Sequence, residues 1–173
     1  DRAGQPGLTA RVYLSLGSNI APRRHLRAAL RALRATFGEL LVSPVYESRA
    51  VGFDGANFLN LVVGLDSSLS VGALSRELRH IEEQLGRVRG QEKFSSRTLD
   101  IDILTYGQTV GEVGGICLPR DEIEKYAFVI RPLADIDPAG RHPVDGRSYA
   151  DICAEVASDP LALWRVELDG SAD

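Results

Sequence analysis

The sequence is poor in several residue types, and each shortage narrows the class of protein. Lys93 and Lys125 are the only lysines among its 20 basic residues, and the others are arginines. Its two cysteines, Cys117 and Cys153, do not form a CxxC pair, and no cysteine or histidine stands at zinc-ligand spacing from them. No apolar run approaches the roughly 20 residues that a membrane span requires. We therefore expect a reduced, cytoplasmic protein that does not bind a membrane.

Charge and size argue against a nucleic-acid binder and indicate a single domain. The net charge of −4 argues against a general nucleic-acid binder, which normally carries a basic excess. Residues 1–7 are polar and lack the apolar core of a secretory signal. The chain has 173 residues, of which 44% are hydrophobic and 25% charged, and these values suit a single globular domain. We expect that domain to span 1–173, with a flexible N-terminal segment at 1–10.

Hydrophobic periodicity predicts an alternation of strands and helices. The predicted strands lie at 11–16, 40–46, 58–65 and 98–106. The predicted helices lie at 22–37, 70–85 and near 149–157. The first six elements follow the order βαββαβ, which is typical of the split βαβ, ferredoxin-like arrangement. We predict an α+β fold, a ferredoxin-like sandwich whose antiparallel sheet carries helices on both sides and C-terminal additions.

The first predicted helix has a strongly basic side. Its arginines there are Arg23, Arg24, Arg27, Arg31 and Arg34. Because no aromatic residues interleave with them, the pattern indicates a solvated face rather than a nucleic-acid surface.

The most informative segment is 97–104, with the sequence Arg-Thr-Leu-Asp-Ile-Asp-Ile-Leu. Residues two apart on a strand share a face, so Asp100 and Asp102 point the same way with Cα atoms about 6.6 Å apart. Adjacent carboxylates repel each other unless a cation lies between them, and Mg²⁺ prefers such hard oxygen ligands. The alternative is an edge strand with two solvated aspartates. Spacing alone does not separate these two interpretations.

The preceding loop favours the metal site. It brings the cations Arg87, Arg89, Lys93 and Arg97 beside the two carboxylates. Phosphoryl transfer needs this combination, because its catalysis consists mostly of positioning and charge stabilisation. Simple pairing between the opposite charges is the alternative. The sequence contains neither GxxxxGK[ST] nor GxGxxG, so a nucleotide would be held by side chains.

Several segments, in order along the chain, resemble the 6-hydroxymethyl-7,8-dihydropterin pyrophosphokinase family of folate biosynthesis. The matching segments are 16–19, 46–48, 58–60, 86–89, 97–107 and 118–119, in register from about 12 to 142. The resemblance implies a monomeric, ATP-dependent diphosphotransferase with two Mg²⁺ ions and ATP as co-substrate. Its reaction transfers the β,γ-pyrophosphoryl group of ATP to the hydroxymethyl group of the reduced pterin and releases AMP.

The resemblance also implies roles for individual residues. The metal ligands would be Asp100 and Asp102. The catalytic residues would be Arg87, Arg97, Asp100, Asp102 and Arg120. The ATP-binding residues would be Glu82, Arg87, Arg89, Lys93, Arg97, Ile103 and Arg120, with Glu82 and Ile103 at the adenine side. The pterin-binding residues would be Ser48, Val51, Phe58, Asn60, Phe94 and Phe128, although ordinary core packing explains Phe58 and Phe128 equally well.

Three segments depart from the family pattern. The usual Arg-Trp pair of the catalytic loop is Lys93-Phe94, and a Pro-rich substrate loop is replaced at 48–50 by Ser-Arg-Ala. The usual histidine after the conserved proline is Arg120, and the usual arginine before the stacking phenylalanine is Tyr126. Arg120 could supply the cation lost at Tyr126. The departures leave two alternatives open, a diverged paralogue acting on a different reduced pterin and a non-catalytic pterin- or nucleotide-binding protein.

Overall fold

The computed structural model describes residues 8–50, 55–86, 99–156 and 162–169. Its strands are β1 (Ala10–Ser18), β2 (Leu41–Val42), β3 (Val45–Ser48), β4 (Phe58–Ser67), β5 (Asp100–Tyr106), β6 (Gly111–Val113), β7 (Ile116–Leu118) and β8 (Leu163–Val166). Its helices are α1 (Pro22–Phe37), α2 (Val71–Gln84), α3 (Glu122–Lys125), α4 (Ala127–Ile136) and α5 (Tyr149–Glu155). The predicted helices and most predicted strands are therefore present.

The main sheet is antiparallel and has the strand order β5-β1-β4-β3-β8, with β2 also paired to β4. Strand β4 lies between β1 and β3, and β1 lies between β4 and β5. Each helical connection, through α1 or α2, thus skips one strand, as the split βαβ arrangement requires. This order confirms the predicted ferredoxin-like fold.

Two hydrophobic cores lie on opposite faces of the sheet. On one face α1 and α2 pack against alternate residues of the strands, such as Leu14 of β1 and Ile103 of β5. On the other face α4 and α5 pack against Tyr13 of β1, Val62 of β4 and Leu104 of β5. Helices on both sides were predicted, and this prediction is confirmed. Of the helices in the described ranges, none has the length and apolar character needed to cross a membrane.

The predicted strand at 40–46 is divided in the structure into β2 and β3. Pro44, between them, has no N–H to donate to a neighbouring strand. Ser43 instead bonds Val62 of β4, donating its N–H to the Val62 carbonyl at 2.9 Å and accepting the Val62 N–H on Oγ at 2.8 Å. The sheet is therefore continued across the proline by a side chain.

The solvated arginine face predicted on α1 is present, but two of its members also bind a distant segment of the chain. Arg23 donates from Nε to the carbonyl of Glu167 at 2.9 Å, and Arg27 donates from Nη1 to the carbonyl of Leu168 at 2.7 Å. These arginines hold the segment that follows β8. No local pattern predicts this role, because the partners are more than 140 positions away.

Candidate active site

A cavity of about 720 Å³ lies at one end of the main sheet, where β1, β4 and β5 meet the start of α4, and residues of α2 and α3 also line it. Its floor consists of small and polar residues on neighbouring strands. Gly17 of β1 pairs with Asn60 of β4 on one side and with Asp100 of β5 on the other. Ser15 pairs with Asp102. The antiparallel register thus brings residues that are distant in sequence to one end of the sheet.

Asp100 and Asp102 share the face of β5 that lines this cavity. Both are half-buried, whereas Ile101 and Ile103 are buried in the core under α1 and α2. The predicted alternation is confirmed. Two carboxylates on one strand face provide hard oxygen donors beside an open space, and this donor set fits Mg²⁺.

Arg120 reaches the same end of the cavity because its backbone is bonded to β5. The register between β1 and β5 shifts between Tyr13 and Leu14, which leaves Leu104 outside the pairing. The Leu104 carbonyl accepts the N–H of Arg120 at 2.9 Å. The bulge therefore anchors Arg120 beside the strand that carries the two aspartates.

The guanidinium of Arg120 lies between two carboxylates. Its Nη1 stands 3.9 Å from Oδ1 of Asp102. Its Nε and Nη2 donate to Oε1 and Oε2 of Glu122 at 3.2 and 2.9 Å. The hydrogen bonds to Glu122, followed by the charge of Asp102, outweigh burial and raise the pKa of Arg120 above its usual value. Arg120 is thus a fixed positive charge at the cavity wall.

Asn60 and Ser48 form a hydrogen-bonded pair at another part of the cavity. Both side chains are buried, and Asn60 Nδ2 donates to Ser48 Oγ at 2.8 Å and to the carbonyl of Tyr46 at 3.4 Å. A Cβ atom on Gly17 would lie 3.4 Å from Asn60 Oδ1, so glycine leaves the amide oxygen room. These hydrogen bonds hold the Asn60 amide in one orientation. Both acceptors are bound by its nitrogen, and its oxygen lies beside Gly17.

Glu82 ties α2 to the strand of the two aspartates. It is 4% exposed, and its Oε2 accepts the backbone N–H of Ile101 at 2.7 Å. A buried carboxylate bonded to the residue between Asp100 and Asp102 fixes that part of β5 relative to α2. Glu82 also lines the cavity, as Ile103 does.

Two aromatic rings stand at the start of α4. Phe128 and Tyr126 both line the cavity, and their rings stack with centroids 5.0 Å apart and planes inclined by 17°. At position 126, where the family pattern has an arginine, this chain has a tyrosine whose ring packs against Phe128. The cavity combines an aromatic wall with a charged wall.

All described residues for which the sequence predicted a role line this one cavity. They are Ser48, Phe58, Asn60, Glu82, Asp100, Asp102, Ile103, Arg120 and Phe128. The remaining predicted residues lie outside the described residues, and they are Val51, Arg87, Arg89, Lys93, Phe94 and Arg97.

Sequence reasoning missed several parts of the cavity wall, and two of them have a signal in the sequence. One is Glu122, whose only signal is its opposite charge two positions after Arg120. The other is the β6–β7 hairpin, which contributes Ile116 and Cys117. Its signal was present, because Gly114-Gly115 is a two-residue hairpin turn with φ values of 58° and 82°.

A second group of possible metal ligands, the outer cluster of Glu124, His142 and Asp145, has a structural role. Their ligand atoms lie within 4.8 Å of one another. His142 Nδ1 accepts the N–H groups of Val144 and Asp145 at 3.2 and 3.3 Å, so its proton is on Nε2, which faces Glu124 Oε1 at 3.4 Å. Arg147 Nη2 lies 3.0 Å from both Glu124 and Asp145 and supplies the positive charge. The outer cluster thus joins Glu124 of α3 to the loop between α4 and α5.

An antiparallel split βαβ sheet with paired aspartates, a fixed arginine and an aromatic wall around one cavity fits the class of metal-dependent phosphoryl-transfer enzymes. Comparison with known proteins identifies the family. The sequence profile of 7,8-dihydro-6-hydroxymethylpterin-pyrophosphokinase (HPPK) matches residues 13–138. The chain therefore belongs to the 7,8-dihydro-6-hydroxymethylpterin-pyrophosphokinase family and is a diphosphotransferase. This family uses ATP as co-substrate together with Mg²⁺.

Individual relatives agree with this assignment. The 2-amino-4-hydroxy-6-hydroxymethyldihydropteridine pyrophosphokinase of Pseudomonas aeruginosa is 40% identical over 148 residues, covering 83% of this chain and 90% of the relative. The enzyme of the same name from Aquifex aeolicus is 36% identical and covers 78% and 85%. A crystal structure of Plasmodium falciparum HPPK-DHPS with pteroate superposes with a TM-score of 0.70 at 12% identity. That match covers 90% of this chain but only 44% of the Plasmodium chain, and it shows the fold alone.

Proposed function

We propose that this chain transfers pyrophosphate from Mg·ATP to 6-hydroxymethyl-7,8-dihydropterin, giving AMP and the pterin diphosphate in folate biosynthesis. The hydroxymethyl oxygen forms a bond to the β-phosphorus of ATP, the bond from that phosphorus to the α,β-bridging oxygen breaks, and the hydroxyl proton leaves. The observation that carries this proposal is the convergence of Asp100, Asp102, Arg120, Asn60 and Phe128 on one cavity.

Asp100 and Asp102 are the proposed ligands of two Mg²⁺ ions. When bound, the metal neutralises charge on the phosphates and orients the reacting oxygens. The two aspartates supply negative charge on one strand face, and Glu82 holds that strand in place through Ile101. The support for this role is the hard-oxygen donor set at the cavity floor.

Arg120 is the proposed triphosphate-binding cation at this end. Its guanidinium lies beside Asp102, where phosphate charge would be placed, and it stays protonated at any working pH. The arginines 87, 89 and 97 and Lys93 are proposed to bind the same triphosphate, on the strength of the family motif.

The pterin is proposed to occupy the end of the cavity formed by Asn60, Ser48 and the aromatic wall. Asn60 offers an amide oxygen that is fixed by the two hydrogen bonds of its amide nitrogen, and such a fixed acceptor can bind an N–H donor on a ring edge. Phe58 and Phe128 provide flat apolar surfaces for the ring faces, while Val51 and Phe94 are assigned from the motif. Glu82 and Ile103 are proposed for the adenine side.

We further propose that the enzyme is a monomer in the cytoplasm. Both cysteines are free thiols, which suits a reducing compartment. The family assignment does not favour the alternative of a non-catalytic pterin sensor, and such a protein would have no need of the aspartate pair.

The test is AMP formation from ATP and 6-hydroxymethyl-7,8-dihydropterin in a coupled assay with Mg²⁺. The matched control substrate is the 6-methyl analogue, which lacks the attacking oxygen and should release no AMP. If the hydroxymethyl pterin binds by calorimetry but no AMP forms, the chain is a binding protein. AMP release with the 6-methyl analogue would indicate hydrolysis instead of transfer.

A further inference from the structure

Glu122 forms a two-pronged contact with Arg120. Both of its carboxylate oxygens accept hydrogen bonds, from Nε at 3.2 Å and from Nη2 at 2.9 Å. This fork-to-fork geometry fixes the plane of the guanidinium as well as its position. The third nitrogen, Nη1, takes no part in the contact and lies 3.9 Å from Oδ1 of Asp102. One edge of Arg120 is therefore held, and Nη1 faces Asp102.

We propose that Glu122 is a positioning residue that holds the Arg120 guanidinium so that Nη1 is presented to the triphosphate. The inference rests on the proposed function and adds a residue that the family motif does not assign. Glu122 lies two positions from Arg120, at the first residue of α3, and its side chain is 26% exposed. It does not itself bind substrate in this proposal.

The physical reason is the length of the arginine side chain. A free arginine has several rotatable bonds, and ordering them when the nucleotide binds costs affinity. The Glu122 contact orders them in advance, as supporting groups do for other catalytic side chains. A histidine, which the family usually has at position 120, is short and would not need this support.

The contact also holds Arg120 away from hydrogen-bond distance of Asp102. Without Glu122, the guanidinium would be free to move from 3.9 Å to hydrogen-bond distance from Asp102. It would then compete with the cation for that carboxylate. Loss of Glu122 should therefore weaken Mg·nucleotide binding, although it removes a negative charge from the cavity wall. If Glu122 only repelled the triphosphate, its loss would strengthen binding instead.

The test is a double-mutant cycle between Glu122→Gln and Arg120→His. In the wild-type background, Glu122→Gln should lower kcat about tenfold and weaken binding of a non-hydrolysable Mg·ATP analogue about fivefold by calorimetry, with pterin affinity unchanged. In the Arg120→His background the same change should alter both quantities less than about twofold. Glu122→Asp should recover part of the loss. Glu112→Gln, on the exposed β6 strand, is the matched control and should change neither quantity.

Equal losses in both backgrounds would show that Glu122 acts independently of Arg120 and would overturn the proposal. Tighter analogue binding by Glu122→Gln would also overturn it, because Glu122 would then be competing with the triphosphate for Arg120. The calorimetric cycle uses no turnover. It therefore still decides the role of Glu122 if the wild-type protein forms no AMP and the proposed function fails.

Discussion

One face of the sheet has two halves that differ in what covers them. In the covered half, Tyr13, Tyr46 and Val62 lie beneath α4 and α5 and are at most 7% exposed. In the open half, Asp100 and Asp102 border the cavity and are half-buried. Both halves lie on the same strands, so strand position alone does not distinguish them.

Both halves contain directly hydrogen-bonded polar groups, but the open half also contains a pair of opposite charges that is held apart. In the covered half, Tyr13 donates its hydroxyl to Asp137 at 2.9 Å and Tyr46 donates to Asp135 at 2.5 Å. In the open half, Arg120 and Asp102 stand 3.9 Å apart, beyond hydrogen-bond distance. Direct bonds suit a structural role, and charges held apart around a space suit a ligand between them. Substitutions in the covered half should therefore affect stability, and substitutions in the open half should affect function.

The largest expected effect is in the open half. Asp102→Ala should lower kcat by on the order of 1000-fold and abolish Mg²⁺-dependent nucleotide binding, because one carboxylate cannot hold the cation charge alone. AMP release and calorimetry with a non-hydrolysable ATP analogue measure the two effects. Excess EDTA on the wild-type protein should reproduce the binding loss without changing Tm.

The matched control for Asp102→Ala is Asp135→Asn in the covered half. It also removes an aspartate charge, but from a partner of Tyr46. Its turnover should stay within about twofold of wild type because it touches no substrate. Unchanged ATP affinity of Asp102→Ala in magnesium would contradict the metal assignment and the division of the face.

The second prediction concerns packing in the covered half. Leu133 of α4 is fully buried in the core beneath that helix. Leu133→Ala should lower the free energy of unfolding by about 3 kcal/mol, because a cavity is left where the side chain packed. Urea denaturation measures the loss. Well below Tm, kcat/KM should stay within about twofold of wild type, and a large fall in kcat/KM there would show that the two halves are coupled.

The third prediction tests the fixed cation of the open half. Arg120→Ala should lower kcat about 100-fold, a loss of about 2.7 kcal/mol in transition-state stabilisation. Pterin affinity should change much less, because the pterin end of the cavity is formed by other residues. Arg76→Ala, on the exposed side of α2, is the control for loss of a positive charge. A larger change in pterin affinity than in kcat would indicate that Arg120 binds the pterin and not the triphosphate.

Local pattern was sufficient for the elements and for the faces of the strands. The alternation around Asp100 and Asp102 predicted that both carboxylates share a face, because the side-chain period of a strand is fixed. Helix α1 was predicted at its observed bounds, since Pro22 and the apolar spacing mark it clearly. These features depend on neighbours within a few positions.

Features that depend on distant contacts were not predicted. The pattern did not show that Arg23 and Arg27 hold the segment after β8, or that Ser43 continues the sheet past Pro44. The pattern also did not show whether Phe128 packs in the core or lines the cavity, because an apolar ring suits both positions. Which half of the face remains open is decided by where α4 and α5 pack, and that is a tertiary property.

The smallest expected effect at neutral pH is that of Tyr46→Phe. Burial, with help from the hydrogen bond to Asp135, raises the pKa of Tyr46 to about 12, against about 10 in the unfolded chain. Removing the hydroxyl loses that hydrogen bond and should lower the free energy of unfolding by about 1 kcal/mol. Urea denaturation at pH 7 measures this difference.

The pH dependence of the same variant tests whether the covered half excludes water. A raised tyrosine pKa means that the folded state holds a proton that the unfolded state has lost between pH 10 and about 12. The stabilisation is complete below pH 10 and is lost as pH rises through about 12, so wild-type stability should fall with pH across this window. The unfolding free energy of Tyr46→Phe should fall less steeply with pH, because one titrating hydroxyl has been removed. Tyr13 and Tyr149, whose pKa values are also raised to about 12, contribute to the slope in both proteins. Equal slopes for the two proteins would mean that the Tyr46 hydroxyl titrates as in water, and the covered half would then not be dry.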